Sequence, residues 1–180
     1  MYEMRKEEFA QVFCLMEESF PPEEHRPQKE QKALFENPEY KIYVLRDGQS
    51  GAVQAFLAVW DFGAWVYIEH FAVSPAYRNA GVGGKMLRDA LEFFGGRVIL
   101  EVEPPEDALT ARRVGFYERN GFSLNRYPYT QPPISAGRRP IPLLFMTTGG
   151  EISREEFFHI RDLLYRRVYR VPESDALYAR

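Results

Sequence analysis

The residues with the clearest chemical potential are Arg78-Asn79-Ala80-Gly81-Val82-Gly83-Gly84. They follow the apolar run Phe71-Ala72-Val73 and lead at once into a helical pattern, so an Arg-x-x-Gly-x-Gly turn joins a strand to a helix. The first turn of a helix leaves its N–H groups without intrahelical partners, and together these can seat a phosphate or pyrophosphate. Glycine suits such a turn because a side chain would block close approach of the ligand, and because turns of this kind often need positive φ. Two other phosphate motifs fit less well. A P-loop requires Ser or Thr after Gly-Lys, whereas Gly84-Lys85 is followed by Met86. A dinucleotide fingerprint requires a third glycine at the position that Met86 holds. A plain strand-to-helix connection is the bland alternative.

The chain around this turn has 180 residues, which implies one domain over 1–180 with room for a substantial core. It is 45% hydrophobic and 27% charged, the balance of a soluble globular protein. A formal net charge of −3 argues against a nucleic-acid partner. No run approaches the ~18–20 apolar residues of a membrane span, and the polar start does not read as a signal peptide. The single cysteine, Cys14, leaves no internal disulfide and fits a reducing, cytoplasmic setting. Lying between Phe13 and Leu15, it reads as buried filler.

Periodicity supplies the elements that must position the turn. Phe9, Val12, Phe13, Met16 and Phe20 recur at helical spacing, predicting a helix over about 4–19 that Pro21-Pro22 ends. A second helix is expected over about 27–36, before Asn37-Pro38. Ile42–Leu45 and Val53–Trp60 read as strands around an Asp47-Gly48 turn, and Trp65–Val73 as the strand entering the glycine turn. Further on come a strand over Arg97–Glu103 closed by Pro104-Pro105 and a helix over about 108–120 ended by Asn120-Gly121. Late strands over Phe122–Tyr127 and Ile141–Thr147 flank a Pro/Tyr-rich loop. Ser153-Arg154-Glu155-Glu156 is a capping box for a last helix. The sum is an α/β (α+β) fold: a central mixed, mostly antiparallel sheet flanked by helices, with an added helix at the C-terminal end.

Three blocks in order carry a resemblance: Phe71 to Gly84, the strand Val98-Ile99-Leu100-Glu101-Val102-Glu103, and Phe116-Tyr117-Glu118-Arg119-Asn120-Gly121-Phe122. Together they resemble the GNAT superfamily of acetyl-CoA-dependent N-acetyltransferases over about residues 40–127. The resemblance implies acetyl-CoA as cosubstrate and an amine, small or peptidic, as acceptor, with no metal. It implies that the backbone of Phe71, Ala72 and Val73 lines the pantetheine arm and that amides from Asn79 to Gly84 bind the pyrophosphate, with Arg78 at the entrance. It also makes Tyr117 the group that meets the departing thiolate. Where many members carry Asn, this chain has Thr110, so Thr110 and Arg113 (or Arg112) are the cofactor contacts expected from that helix.

Transfer to an amine also needs a base and a polarised carbonyl. A strand amide near Ala72 or Val73 would serve the carbonyl. Glu101 alternates with Leu100 and Val102 and so points away from the face they bury; Glu69, sharing parity with Tyr67, Phe71 and Val73, is its rival. His70 falls on the opposite face of that strand, and His25 and His159 lack the spacing of metal ligands. Glu23 and Glu24 either attract a cationic amine or form a solvated acidic loop. A non-catalytic acyl-CoA-binding module on the same fold is the alternative function. Phe157, Phe158 and Tyr165 serve either a homodimer contact or the core.

Overall fold

Alternating and helical patterns become seven mostly antiparallel strands flanked by helices in the computed structural model, which describes residues 1–179. This is the expected α/β class, organised as two compact units, Met1–Val98 and the chain from Ile99 onward.

In the first unit, β1 (Tyr2–Glu3), β2 (Tyr40–Arg46), β3 (Val53–Asp61) and β4 (Trp65–Val73) pair in that order, each antiparallel to the next. Helices α1 (Phe9–Ser19) and α3 (Val82–Phe94) both pack on β3 and β4, and the short α2 (Gln28–Ala33) lies between them in sequence. The run Ala55–Trp60 is therefore buried on both faces of β3, which is why it reads as continuously apolar rather than alternating. The helix expected from about residue 4 begins instead as a 3-10 turn, Lys6–Glu8, because Tyr2–Glu3 adds to the sheet edge and Met4 N–H bonds Ile42 O at 2.7 Å. Cys14 is exposed, not buried. The buried stripe of α1 is Phe9, Val12, Phe13, Leu15 and Met16, and Cys14 falls on its other side.

In the second unit, β5 (Arg97–Val102, from Ile99 on), β7 (Ile141–Thr148) and β6 (Phe122–Gln131) lie in that order, with β7 antiparallel to both neighbours. Helices α4 (Ala108–Glu118) and α5 (Arg154–Arg167) pack on β6. The predicted capping box starts α5: Glu156 N–H bonds Ser153 Oγ at 3.2 Å and Ser153 N–H bonds Glu156 Oε2 at 3.0 Å.

Strand β6 does not stop at Tyr127 as predicted. The register passes from Asn125↔Phe145 to Tyr129↔Leu143, so residues 126–128 oppose Leu144 alone. Pro128, which has no N–H to give a ladder, sits in that bulge, and pairing resumes after it. The bulge puts Tyr129 where an unbroken ladder would have put Tyr127. Tyr127 instead stacks on Phe157 (ring centroids 4.9 Å apart) and bonds Ile152 O at 3.1 Å.

Candidate active site

Strand β4 also carries a bulge. Ala58 pairs with His70 and Val59 with Ile68, so Glu69 is an extra residue without a partner on β3. Beyond it the ladder is regular, and Ser74 N–H bonds Gln54 O at 2.8 Å. In an antiparallel ladder the peptide groups alternate in direction. Ala72 therefore turns its N–H and C=O toward Phe56 of β3, whereas Phe71 and Val73 turn theirs away. Val73 O accepts instead from Arg78 Nε at 3.1 Å. Of the two amides considered for a carbonyl oxygen, only that of Val73 faces away from β3.

The chain then reverses through a 3-10 turn, Pro75–Tyr77, and two left-handed residues, Asn79 (φ 62°) and Gly81 (φ 77°). Gly81 is the N-cap of α3 and has no side chain to cap the helix. The first intrahelical bond is Lys85 N–H to Gly81 O at 3.0 Å. The amides of Val82, Gly83 and Gly84 thus precede the helical ladder, on backbone that is at least partly exposed. Nothing lies within 4 Å of a Cβ built on Gly81, so glycine is required there by φ and not by crowding.

The bulge breaks the parity on which the sequence reading of Glu69 rested. Glu69 and His70, expected on opposite faces, approach each other: His70 Nδ1 lies 3.4 Å from Glu69 Oε2. The Glu69 side chain is buried and accepts from Arg26 Nη1 at 2.8 Å, with side-chain exposures of 2% and 6%. Burial alone would raise its pKa, but the Arg26 charge, reinforced by His70, holds the carboxyl down at about 2. His70 is hydrogen-bonded, as expected for a packed strand histidine, its Nε2 2.8 Å from Glu24 O. That bond ties the turn containing Glu23 and Glu24, both half-buried, to β4.

In the second unit, Tyr117 is buried near the end of α4, its ring in edge contact with Phe116 and Phe122. Its hydroxyl has no hydrogen-bond partner among the described residues. Burial pushes the phenol up to about 12, against a smaller downward pull from Arg113. Thr110 belongs to the start of the same helix. Asp107 is the N-cap, accepting from the amides of Leu109 and Thr110 at 2.8 Å, and the Thr110 hydroxyl answers the Asp107 amide at 3.1 Å. Asp107-x-x-Thr110 was a readable signal, hidden because the usual partner at that position is Glu or Gln. Arg113 pairs with Glu103. Glu101 on β5 is half-buried and accepts from two tyrosines, Tyr129 at Oε1 (2.5 Å) and Tyr169 at Oε2 (2.8 Å).

A profile of the acetyltransferase (GNAT) family matches residues 3–122. The chain belongs to the GNAT acetyltransferase family. A Bacteroides thetaiotaomicron structure assigned to the same family superimposes with a TM-score of 0.84 at 33% identity, covering 92% of this chain and 94% of that one. The Bacillus subtilis (strain 168) protein YjbC, assigned as an acetyltransferase, is 29% identical over 109 residues, which are 59% of this chain and 54% of YjbC. The match thus spans about half the length of that relative. A spermidine N-acetyltransferase chimera from Vibrio cholerae and hSSAT shares the fold (TM-score 0.63, 13% identity, 82% and 94% covered). Among the described residues no helix is long and apolar enough to cross a membrane.

Within this GNAT chain, the first unit brings together the strand end, Arg78 and the glycine turn. Glu69, earlier on the same strand, is bonded to Arg26. Glu69→Gln removes the carboxylate charge that faces buried Arg26 and should lower unfolding free energy at pH 7 by about 3–5 kcal/mol. Because the folded carboxyl is depressed below its unfolded value, its stabilisation is present above about pH 4.5 and fades as pH falls toward 2. The gap between variant and wild type in urea denaturation should therefore narrow over that window. A gap that stays constant with pH would contradict the ion pair.

Proposed function

We propose that this chain is an N-acetyltransferase that moves an acetyl group from acetyl-CoA directly onto a primary amine, without a covalent enzyme intermediate. The observation that carries the reading is the backbone cradle: peptide groups of Phe71 and Val73 turned away from β3, then a helix start at Val82–Gly84 that no side chain caps. Such a cradle fits an extended amide-bearing arm followed by a pyrophosphate. In this reading Phe71 and Val73 bind the arm, the amides from Asn79 to Gly84 bind the phosphates, and Arg78 adds a cation at the rim. Acetyl-CoA supplies an activated thioester.

The remaining roles belong to single groups. The Val73 N–H is the donor for the thioester carbonyl oxygen. Tyr117 holds a proton for the departing thiolate. With its phenol near 12 and a thiol near 8.5, complete transfer would be uphill by about 5 kcal/mol, so Tyr117 stabilises the thiolate by sharing its proton. Glu101 takes the proton of the incoming amine, directly or through one water. Glu69 is a poor choice for that task, since a carboxyl held near 2 by Arg26 has little affinity for a proton. Thr110, in the capping box of α4, and Arg113, further along the same helix, supply its contacts to the cofactor.

Thiol release from acetyl-CoA in the presence of an amine panel, including spermidine, an amino acid and a peptide with a free N-terminus, tests this reading. Glu101→Gln should lower kcat by about 10²–10⁴-fold, the usual contribution of a general base, and Tyr117→Phe by at least about tenfold. Either variant turning over at the wild-type rate would remove that residue from the mechanism. Acetyl-CoA binding with no turnover on any amine would favour a non-catalytic acyl-CoA-binding module.

A further inference from the structure

Glu101 is held from outside the 3–122 stretch that the family profile matches. Tyr129 reaches it across β7 from the far side of the bulge at 126–128. Its ring packs on Phe145, whose residue pairs with Glu101 in the ladder (centroids 4.3 Å apart). Tyr169 reaches it from just beyond α5. There Arg170 adopts a left-handed conformation (φ 55°), and Val171 N–H returns to Tyr165 O at 2.9 Å, reversing the chain. A non-glycine residue in that region is strained and persists only where its surroundings hold it. The following segment is held: buried Arg161 donates to Tyr178 O at 3.0 Å and Ala179 O at 2.9 Å.

We propose that Tyr169 and Tyr129 are positioning residues for Glu101, and that the segment after α5, clamped by Arg161, is the device that delivers Tyr169. Each phenol donates to one carboxylate oxygen, so the two bonds together fix the orientation of the carboxylate. This rests on the reading of Glu101 as the base. Titratable groups that face Glu101 from the packed elements include Tyr129 of β6, Tyr165 of α5 and Tyr169. Burial, then the Glu101 charge, keeps the Tyr129 phenol well above its usual range, so it stays a donor.

The test is carbon-13 NMR titration of the side-chain carboxyls of glutamate-labelled protein, with the Glu101 signal assigned by its loss in Glu101→Gln. Tyr169→Phe keeps the ring but removes a donor to the anionic form, so the Glu101 midpoint should rise by about one unit. The acidic limb of kcat/KM should move to higher pH by the same amount, with KM for acetyl-CoA unchanged. Arg161→Gln, which frees the segment without touching Glu101, should shift the midpoint in the same direction. Tyr129→Phe tests the other oxygen should Tyr169→Phe fail to fold. A midpoint unchanged in both phenylalanine variants would overturn the proposal. A shifted midpoint beside a Glu101→Gln variant of full activity would instead dispose of the base assignment.

Discussion

The buried Arg26–Glu69 pair at the bulge of β4 sets the geometry of everything that follows on that strand. An extra residue in a ladder leaves its own backbone unpaired and changes which peptide groups face which way downstream. Here the extra residue is a carboxylate that could not stay charged in the interior alone, and Arg26 supplies the counter-charge. Beyond it the register turns the peptide groups of Phe71 and Val73 away from β3, and the chain enters the turn at Gly81 with α3 uncapped. The strand that carries this ion pair thereby also presents the backbone groups that would hold acetyl-CoA. The same pair and its neighbour His70 anchor the turn at Glu24, so the first unit has one buried polar junction serving two loops.

Two glutamates that look alike on paired strand patterns are thus given opposite characters by their surroundings. Glu69 sits against a guanidinium, which makes it strongly acidic and immobile. Glu101 sits against two phenols, which donate hydrogen bonds without bringing a full charge. A carboxylate oriented by neutral donors keeps more affinity for a proton than one locked to a cation. That difference is the physical reason for assigning the base role to Glu101.

Much of this was readable in the residues. The largely apolar run Trp65–Val73 ended by Ser74-Pro75, the glycine turn, and the Ser153/Glu156 capping box announce themselves because their signals are local. The bulge at Glu69 does not, since one extra residue leaves composition unchanged while reversing parity. Tyr2–Glu3 is too short for any periodicity to show, and Pro128 hides the continuation of β6 because proline normally ends a strand. The meeting of Tyr169 with Glu101, 68 residues away in sequence, depends wholly on how β6, β7 and α5 pack. Residues fixed by their neighbours in the chain can be read from it; residues fixed by tertiary packing cannot.

In the proposed mechanism the pyrophosphate of acetyl-CoA rests on backbone between Asn79 and Gly84. Calorimetric titration of the wild-type chain with acetyl-CoA, beside Gly81→Ala and Gly81→Glu, tests it most directly. Both variants carry the strain of a side chain at φ 77°, but an added Cβ meets nothing within 4 Å, so only glutamate adds bulk and negative charge. The expected result is saturable micromolar binding to the wild type, a modest loss in Gly81→Ala and no binding in a folded Gly81→Glu. Equal affinity for all three, or no binding by the wild type, would contradict it.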